Sequence, residues 1–238
     1  MTPSQSPLSG VLNASKTKEI LRNPPVATHL DLQHLLAPRR RNGPPVVAFT
    51  VQDILSPQEC QSLIERSEKI GYEVALVNTG NKGQGVHVPG YRDGQRVMVD
   101  DFDITAELFR RIQPYLPATF EGRPVVSMNE RLRFLKYKPG DQFAPHMDGQ
   151  FRRDDGSGEV TKLTIQLYLN DECEGGATTF LDEATWWSGT SEGKPQLEVV
   201  PRTGQLLVFQ HDLVHEGSIV TEGVKYVIRD DILYGPRP

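Results

Sequence analysis

Cysteine is scarce: among 238 residues only Cys60 and Cys173 carry thiols. Two cysteines build neither a disulfide framework nor a cysteine-rich zinc cluster, so the sequence predicts a reducing compartment, cytoplasmic or nuclear, and not a secreted scaffold. No apolar run nears the roughly 18 residues of a membrane span. The first residues, MTPSQSPLSG, lack the basic and apolar regions of a secretory signal. A soluble protein without a membrane partner is expected. Excess positive charge is also missing. The formal net charge is −5 and the pI about 5.7, which argues against a general nucleic-acid binder, whose affinity rests on phosphate neutralisation. Nor is there a GxSxG elbow, a P-loop, an HExxH helix or a CxxC pair, and so no motif for the hydrolase, nucleotide, zinc-protease or thiol-redox classes.

What the chain has in quantity is punctuation. Twenty-one glycines and eighteen prolines suit many short elements joined by turns, at an ordinary 37% hydrophobic and 24% charged composition. Residues 1–43, rich in Pro, Ser, Asn and basic residues, read as an irregular N-terminal arm with a short helical piece near 28–36. The run Arg39-Arg40-Arg41 reads as a solvated tail. One folded domain is expected over 44–238, opening with the strand PPVVAFTV. Ser56-Pro57-Gln58-Glu59 then offers an N-cap, a proline at the first helical position and a glutamate at the third. Cys60, Leu63, Ile64 and Ile70 continue it as a helical stripe. A second helix starts near Asp103, with Ile104, Leu108, Phe109 and Ile112 on its apolar face, and ends at Pro114. Both helices should pack outside a sheet.

Between them, residues 77–96 hold five glycines. The context is not that of a nucleotide fingerprint, and a long Gly-rich loop in a compact domain suits a lid over substrate. His87 and Tyr91 in this loop are candidate substrate contacts. From 130 onward the expected strands are 131–137, 142–148, 160–169, 177–181, 196–200, 205–210, 213–220 and 224–233, a mainly β pattern suited to a jelly roll or barrel. Segments 151–159 and 182–195, the latter with Trp186-Trp187, read as surface excursions. The acid pairs Asp100-Asp101 and Asp154-Asp155 are expected to face solvent.

The chemistry is concentrated in RLRFLKYKPGDQFAPHMDG, a strand, a Pro139-Gly140 turn and a second strand. Alternation along that second strand projects His146 and Asp148 from one face. A third ligand must come from far along the chain. His215 in FQHDLVHEG is the candidate, with His211 four residues earlier as its rival. Two imidazoles and one carboxylate leave half of an octahedral iron open.

The blocks YKPGDQFAPHMDG, LYLNDECEGGATTF, TGQLLVF, HEG and GVKYVIRDDILY, in this order, resemble the iron(II)- and 2-oxoglutarate-dependent oxygenases, most closely their prolyl 4-hydroxylase branch. The resemblance covers roughly residues 130–234. It implies a double-stranded β-helix core there, with supporting N-terminal helices. It implies that His146, Asp148 and His215 hold Fe(II), and it leaves His211 outside the H-E-G block. Lys225 matches the lysine that anchors the distal carboxylate of 2-oxoglutarate. Arg229, on the same face by alternation, is the alternative anchor. Tyr137 and Tyr168 match tyrosines of the 2-oxoglutarate pocket, and Thr164, on Tyr168's face, is grouped with them. Gly175-Gly176 and Gly204 look like turn glycines, and Glu216 is a candidate for orienting His215. The cofactors implied are Fe(II), 2-oxoglutarate and O2, with ascorbate as a reductant. A carboxylate at position 148 implies hydroxylation of a C–H bond, with release of succinate and CO2. A prolyl or other protein side chain is the first substrate reading, and a free amino acid or small metabolite the alternative. Two other readings are a nucleic-acid demethylase, seeded by Arg39–Arg41 and Arg152-Arg153, and a cupin-like metal-binding module without oxygenase activity.

Overall fold

The computed structural model describes residues 6–78, 85–188 and 196–237. The chain begins with α1 (Ala14–Arg22), β1 (Ala27–His29), a 3-10 turn (Gln33–Leu35), α2 (Pro38–Arg41), β2 (Ala48–Val51) and α3 (Pro57–Ile70). It continues through β3 (Glu73–Val74), β4 (Val77–Asn78), β5 (Gly85–Val86), β6 (Gln95–Asp100), α4 (Phe102–Ile112), β7 (Thr119–Phe120) and β8 (Arg123–Met128). Then come β9 (Arg131–Tyr137), β10 (Phe143–His146), β11 (Val160–Tyr168), β12 (Cys173–Gly175), β13 (Thr178–Leu181) and α5 (Glu183–Ser188). The last strands are β14 (Gln196–Val199), β15 (Leu206–Gln210), β16 (His215–Gly217), β17 (Val220–Gly223) and β18 (Lys225–Tyr234).

Ten of the described strands form one antiparallel sheet, in the order β1-β2-β15-β11-β18-β9-β6-β3 with β8 and β7 attached at β18. A second sheet, β10-β16-β13-β14, packs against its inner face. This is the jelly roll expected from the strand pattern. Alternation along the strands explains the layering. Leu132 and Phe134 of β9, Leu206 and Val208 of β15, and Ile228 and Ile232 of β18 join the core under the helices, with Leu63, Leu108 and Ile112. Their neighbours Leu135, Tyr137, Leu207, Phe209 and Val227 point between the sheets, against Phe180 and Val199. Both faces of the large sheet are therefore covered.

The two expected helices form. Ser56 and Glu59 close a reciprocal capping box on α3, and the side chain of Asp101 caps α4 by accepting from the backbone N–H groups of Asp103 and Ile104. Asp101 is accordingly buried and not solvent-facing as expected. The expected strand 213–220 is broken: β16 pairs with β10, and β17 turns away to pair with β12.

The N-terminal stretch differs most from expectation, because it is helical and packed where an irregular arm was predicted. Helix α1 occupies 14–22, and the expected helical piece near 28–36 is instead strand β1, paired with β2, followed by the 3-10 turn. Leu8, Val11, Ile20, Leu32, Leu35 and Leu36 are all buried. The physical reason is a charge supplied by a distant helix. The guanidinium of Arg111 in α4, fully buried, donates to Glu59 Oε1 at 2.7 Å and Oε2 at 3.0 Å, to Thr17 Oγ1 at 2.8 Å, and to the carbonyls of Ile54 at 2.9 Å and Asn13 at 3.1 Å. Glu59 also accepts from Asn13 N at 2.6 Å. One ion pair thus pins α1 to α3 and α4. The arginine run is likewise engaged: Arg40 pairs with Glu183 and, at 2.9 Å, with Asp212, while Arg41 reaches Asp182 at 3.5 Å. Among the described residues no helix is long and apolar enough to cross a membrane.

Removing one partner of a buried ion pair leaves the other without compensation, at a cost of about 3–5 kcal/mol. Arg111→Met is therefore expected to lower unfolding stability by about that amount in urea titrations. Arg110→Met, on the exposed side of the same turn, should lie within about 0.5 kcal/mol of the parent.

Candidate active site

The site begins with strand register. In the pairing of β10 with β16, His146 lies opposite His215, and the ring centroids are 4.3 Å apart. Each ring is fixed through Nδ1, which is 2.8 Å from the Ala144 carbonyl for His146 and 3.0 Å from the Leu213 carbonyl for His215. A carbonyl only accepts, so each Nδ1 carries the proton and each Nε2 keeps a free lone pair. Burial pushes the pKa of His146 down to about 3, with His215 beside it adding to the shift, and burial pushes His215 down as well. Both imidazoles are neutral near pH 7. Strand β10 ends at His146, short of the expected 148, so Asp148 is placed by a tether: its backbone N–H donates to the His211 carbonyl at 3.0 Å. One ligand atom from each of His146, Asp148 and His215 falls within a group whose members are all within 4.8 Å of one another.

Asp148 is held by two groups and has a third beside it. Arg229 Nη2 donates to Oδ1 at 2.9 Å, Thr164 Oγ1 donates to Oδ2 at 2.5 Å, and His215 Nε2 stands 3.8 Å from Oδ2. Burial would raise this carboxyl, but the Arg229 charge and the Thr164 hydrogen bond hold it well below the usual carboxylate range. Arg229 also donates to Asp231 Oδ2 at 2.7 Å. Asp231 in turn meets His211 Nε2 at 3.1 Å and Arg133 Nη1 at 3.2 Å. Two of the expected cofactor contacts have protein partners here: Arg229 pairs with Asp148 and Asp231, and Thr164 donates to Asp148. His211 serves Asp231, and Glu216 accepts from Ser218 Oγ at 3.0 Å.

Lys225 lies on the same face of β18 as Arg229 and opposite Tyr137 of β9. Its ammonium donates to the Gly176 carbonyl at 2.5 Å and stands 5.5 Å from the ring centroids of Tyr137 and Tyr168. No carboxylate among the described residues lies within 4.0 Å of it, and burial pushes its pKa down to about 8. Gly176, at φ +64°, makes room, since a Cβ there would come within 3.2 Å of Lys225 Cδ and 3.0 Å of Val220 Cγ2. The Tyr168 hydroxyl donates to Thr178 Oγ1 at 2.7 Å, which donates to Gln166 Oε1 at 2.7 Å.

A cavity of about 810 Å³ joins the triad to Lys225 and Tyr137. Tyr91 lines it and packs edge-on against Phe143, whereas His87 is exposed and outside the lining. The lid expected over 77–96 lies partly outside the described residues, which include β4, β5 and 87–96. The lining also contains Arg92, Arg96 and Arg133, which sequence reasoning had not singled out.

Residues 132–229 match the family model of the 2OG-Fe(II) oxygenase superfamily. They form a 2OG-Fe(II) oxygenase domain. The domain is that of an oxidoreductase, with Fe(II) and 2-oxoglutarate as cofactors and O2 as cosubstrate. Its fold is similar to that of the viral collagen prolyl hydroxylase of Paramecium Bursaria Chlorella virus-1 in its 2-oxoglutarate complex. The identity there is 19%, over 78% of this chain and 95% of that one, with a TM-score of 0.54. A prolyl hydroxylase from Trichoplax adhaerens, in complex with a hypoxia inducible factor peptide, aligns over 95% of this chain and 94% of its own at 13% identity, with a TM-score of 0.56. HygX from Streptomyces hygroscopicus, with nickel and 2-oxoglutarate bound, aligns over 80% of this chain and 83% of its own at 16% identity, with a TM-score of 0.50. No curated protein sequence matches the chain.

The Asp148–Arg229 contact gives a stability test. Arg229→Gln leaves two buried carboxylates short of a cation and should cost about 3–5 kcal/mol in the metal-free protein. Adding Asp148→Asn removes one of those charges, so the double variant should regain part of the loss in urea unfolding.

Proposed function

We propose that the chain hydroxylates a C–H bond, with His146, Asp148 and His215 as the iron ligands and Lys225 as the anchor of 2-oxoglutarate. The observation that carries this reading is the pairing of two features in one cavity. Two neutral Nε2 lone pairs and a carboxylate converge at one end, and a buried ammonium without a carboxylate partner lies at the other. The donor set suits Fe(II), since imidazole and carboxylate ligands leave open positions. When bound, iron with 2-oxoglutarate and O2 supplies the oxidising power, releasing succinate and CO2.

The protein's part is placement. Ala144 and Leu213 aim the two Nε2 atoms by holding Nδ1–H. Arg229 and Thr164 hold the Asp148 carboxylate ionised and oriented before metal arrives. Lys225 offers a compact buried charge between Tyr137 and Tyr168, where a carboxylate would supply the counter-charge it lacks. The walls limit water around the reacting centre. A prolyl or other protein side chain is the first substrate reading, supported by the fold likeness to enzymes described as prolyl hydroxylases, one with a peptide bound. A free amino acid or small acid is the second, favoured by the arginines of the cavity wall.

Anaerobic addition of Fe(II) and 2-oxoglutarate should produce a visible charge-transfer band that requires both ligands. Asp148→Ala should abolish it, and Lys225→Ala should weaken 2-oxoglutarate binding by about tenfold or more. Metal uptake without the band would instead favour a metal-binding module. The pH dependence has a definite sign. The unliganded ammonium titrates at about 8 and a bound carboxylate favours its charged form. Affinity for 2-oxoglutarate should therefore hold below pH 8 and fall as pH rises through it, with proton uptake on binding visible by calorimetry in buffers of different ionisation enthalpy. Lys225→Arg should flatten that profile.

A further inference from the structure

The cavity wall carries more positive charge than the cofactors can use. Six cationic side chains line it: Arg92, Arg96, Arg131, Arg133, Lys225 and Arg229. Four are accounted for. Arg131 forms a two-pronged pair with Asp100 at 2.7 Å through each of two nitrogens, Arg133 meets Asp231 at 3.2 Å and Asp230 at 3.5 Å, and Arg229 is held by Asp148 and Asp231. Lys225 is taken by 2-oxoglutarate in the reading above.

Arg92 and Arg96 remain. Arg92 pairs with no carboxylate among the described residues, and Arg96 has only Glu73, with Nε 3.6 Å from Oε1 of that largely exposed side chain. Both guanidiniums converge on one atom, the Leu76 carbonyl, which Arg92 Nη1 meets at 3.0 Å and Arg96 Nη1 at 3.3 Å. The Nε of each is buried without a hydrogen-bond partner among the described residues. Two like charges are thus held side by side, with most of their ten N–H donors uncommitted. Burial and the neighbouring Arg96 push Arg92 below its ordinary value, as expected for a cation awaiting an anion.

Their position relative to the metal ligands is fixed by stacking. Residue 92 bridges to Phe143 in antiparallel register, and the Arg92 guanidinium lies 4.7 Å from the Phe143 ring centroid. The same ring stacks on His146 at 3.7 Å and 20°. Arg96 extends the same inner face at the β6 edge, opposite Leu135 of β9, with Met98 opposite Arg133 in the next inward row.

We infer that Arg92 and Arg96 bind the carboxylate of the primary substrate, so that this enzyme selects a carboxylate-bearing molecule and holds it by a guanidinium pair one aromatic ring away from His146. The inference rests on the oxygenase reading above and narrows it to a substrate class. A planar carboxylate accepts from guanidinium groups in a two-pronged fork, which a neutral amide cannot match, because its nitrogen brings donors against donors. Two sources supply this chemistry: a small free acid, and an acidic side chain beside the reacting residue of a peptide.

The test uses the full chain loaded with Mn(II) and 2-oxoglutarate under argon, so that binding is read without turnover. Calorimetry compares N-acetyl-L-proline with N-acetyl-L-prolinamide, and a Glu-Pro hexapeptide with its Gln-Pro counterpart. At least one acid should bind about tenfold more tightly than its amide partner. In the Arg92→Gln/Arg96→Gln variant that preference should vanish, while 2-oxoglutarate affinity, set at the Lys225 end, changes less than the acid affinity does. Preference in the first pair identifies a free acid, and in the second a peptide carboxylate. Equal binding within both pairs, no binding by any of the four up to about 10 mM, or a preference that survives in the variant would overturn the inference. So would equal losses for acid and amide, the result expected if the arginines only pin the Leu76 carbonyl. Absence of the Fe(II)/2-oxoglutarate band in the parent protein would sink the oxygenase reading itself.

Discussion

A buried carboxylate must be matched by positive charge, and Asp148 imposes that requirement on everything around it. Taking an unpaired carboxylate out of water costs several kcal/mol, enough to protonate the group instead. Two neutral imidazoles cannot supply the missing charge. Arg229 does, at 2.9 Å, and the demand then spreads: Arg229 also faces Asp231, which meets Arg133 and His211. Four structural elements are drawn into one charge network by the need to keep a single carboxylate ionised, namely β9, β18, the end of β10 and the turn after β15. The network holds Asp148 in place and explains why Arg229 and Asp231 stand on the inner face of β18 where apolar residues would otherwise pack.

That inner face divides its work by the pleat. On β18, Lys225, Val227, Arg229 and Asp231 point inward, while Ile228 and Ile232 point to the helix-side core. Lys225 and Arg229 are four residues apart on one face, so the strand offers two cations to the cavity at two depths. Structure separates their roles: the arginine is bound to protein carboxylates and the lysine is not. Gly176 completes the arrangement, since any Cβ there would crowd the lysine stem.

The sequence reveals what depends on local rules. The capping box of α3, the strands from 131 onward and the inward repeat on β18 follow from neighbouring residues, and the ordered motif blocks single out His146, Asp148, His215 and Lys225, which the fold brings to one cavity. What it conceals depends on contacts far apart in the chain. Helix α1 has only a weak apolar stripe, and its place is fixed by Arg111, whose partners lie 52 to 98 residues away. Thr164 looks like a companion of Tyr168 by alternation, yet Asp148, past the end of its strand, claims it. Arg92 lies in a Gly-rich stretch without periodicity, and only its register against Phe143 brings it to the site.

The choice between lysine and arginine along this cavity follows the same physics. Arginine cannot shed its charge within a protein, so burying one safely requires a fixed anion. Arg111 has Glu59, Arg133 has Asp230 and Asp231, and Arg229 has Asp148 and Asp231. Where a buried cation stands free, at position 225, the residue is a lysine, whose amine near pKa 8 sheds its proton at modest cost when no ligand is present. Arg92 breaks this rule. It is a permanent charge on the cavity wall with no protein carboxylate among the described residues, stacked on the ring that also carries His146. Among the described residues the other guanidiniums of this cavity each meet a carboxylate, and Arg92 is left for an anion from outside.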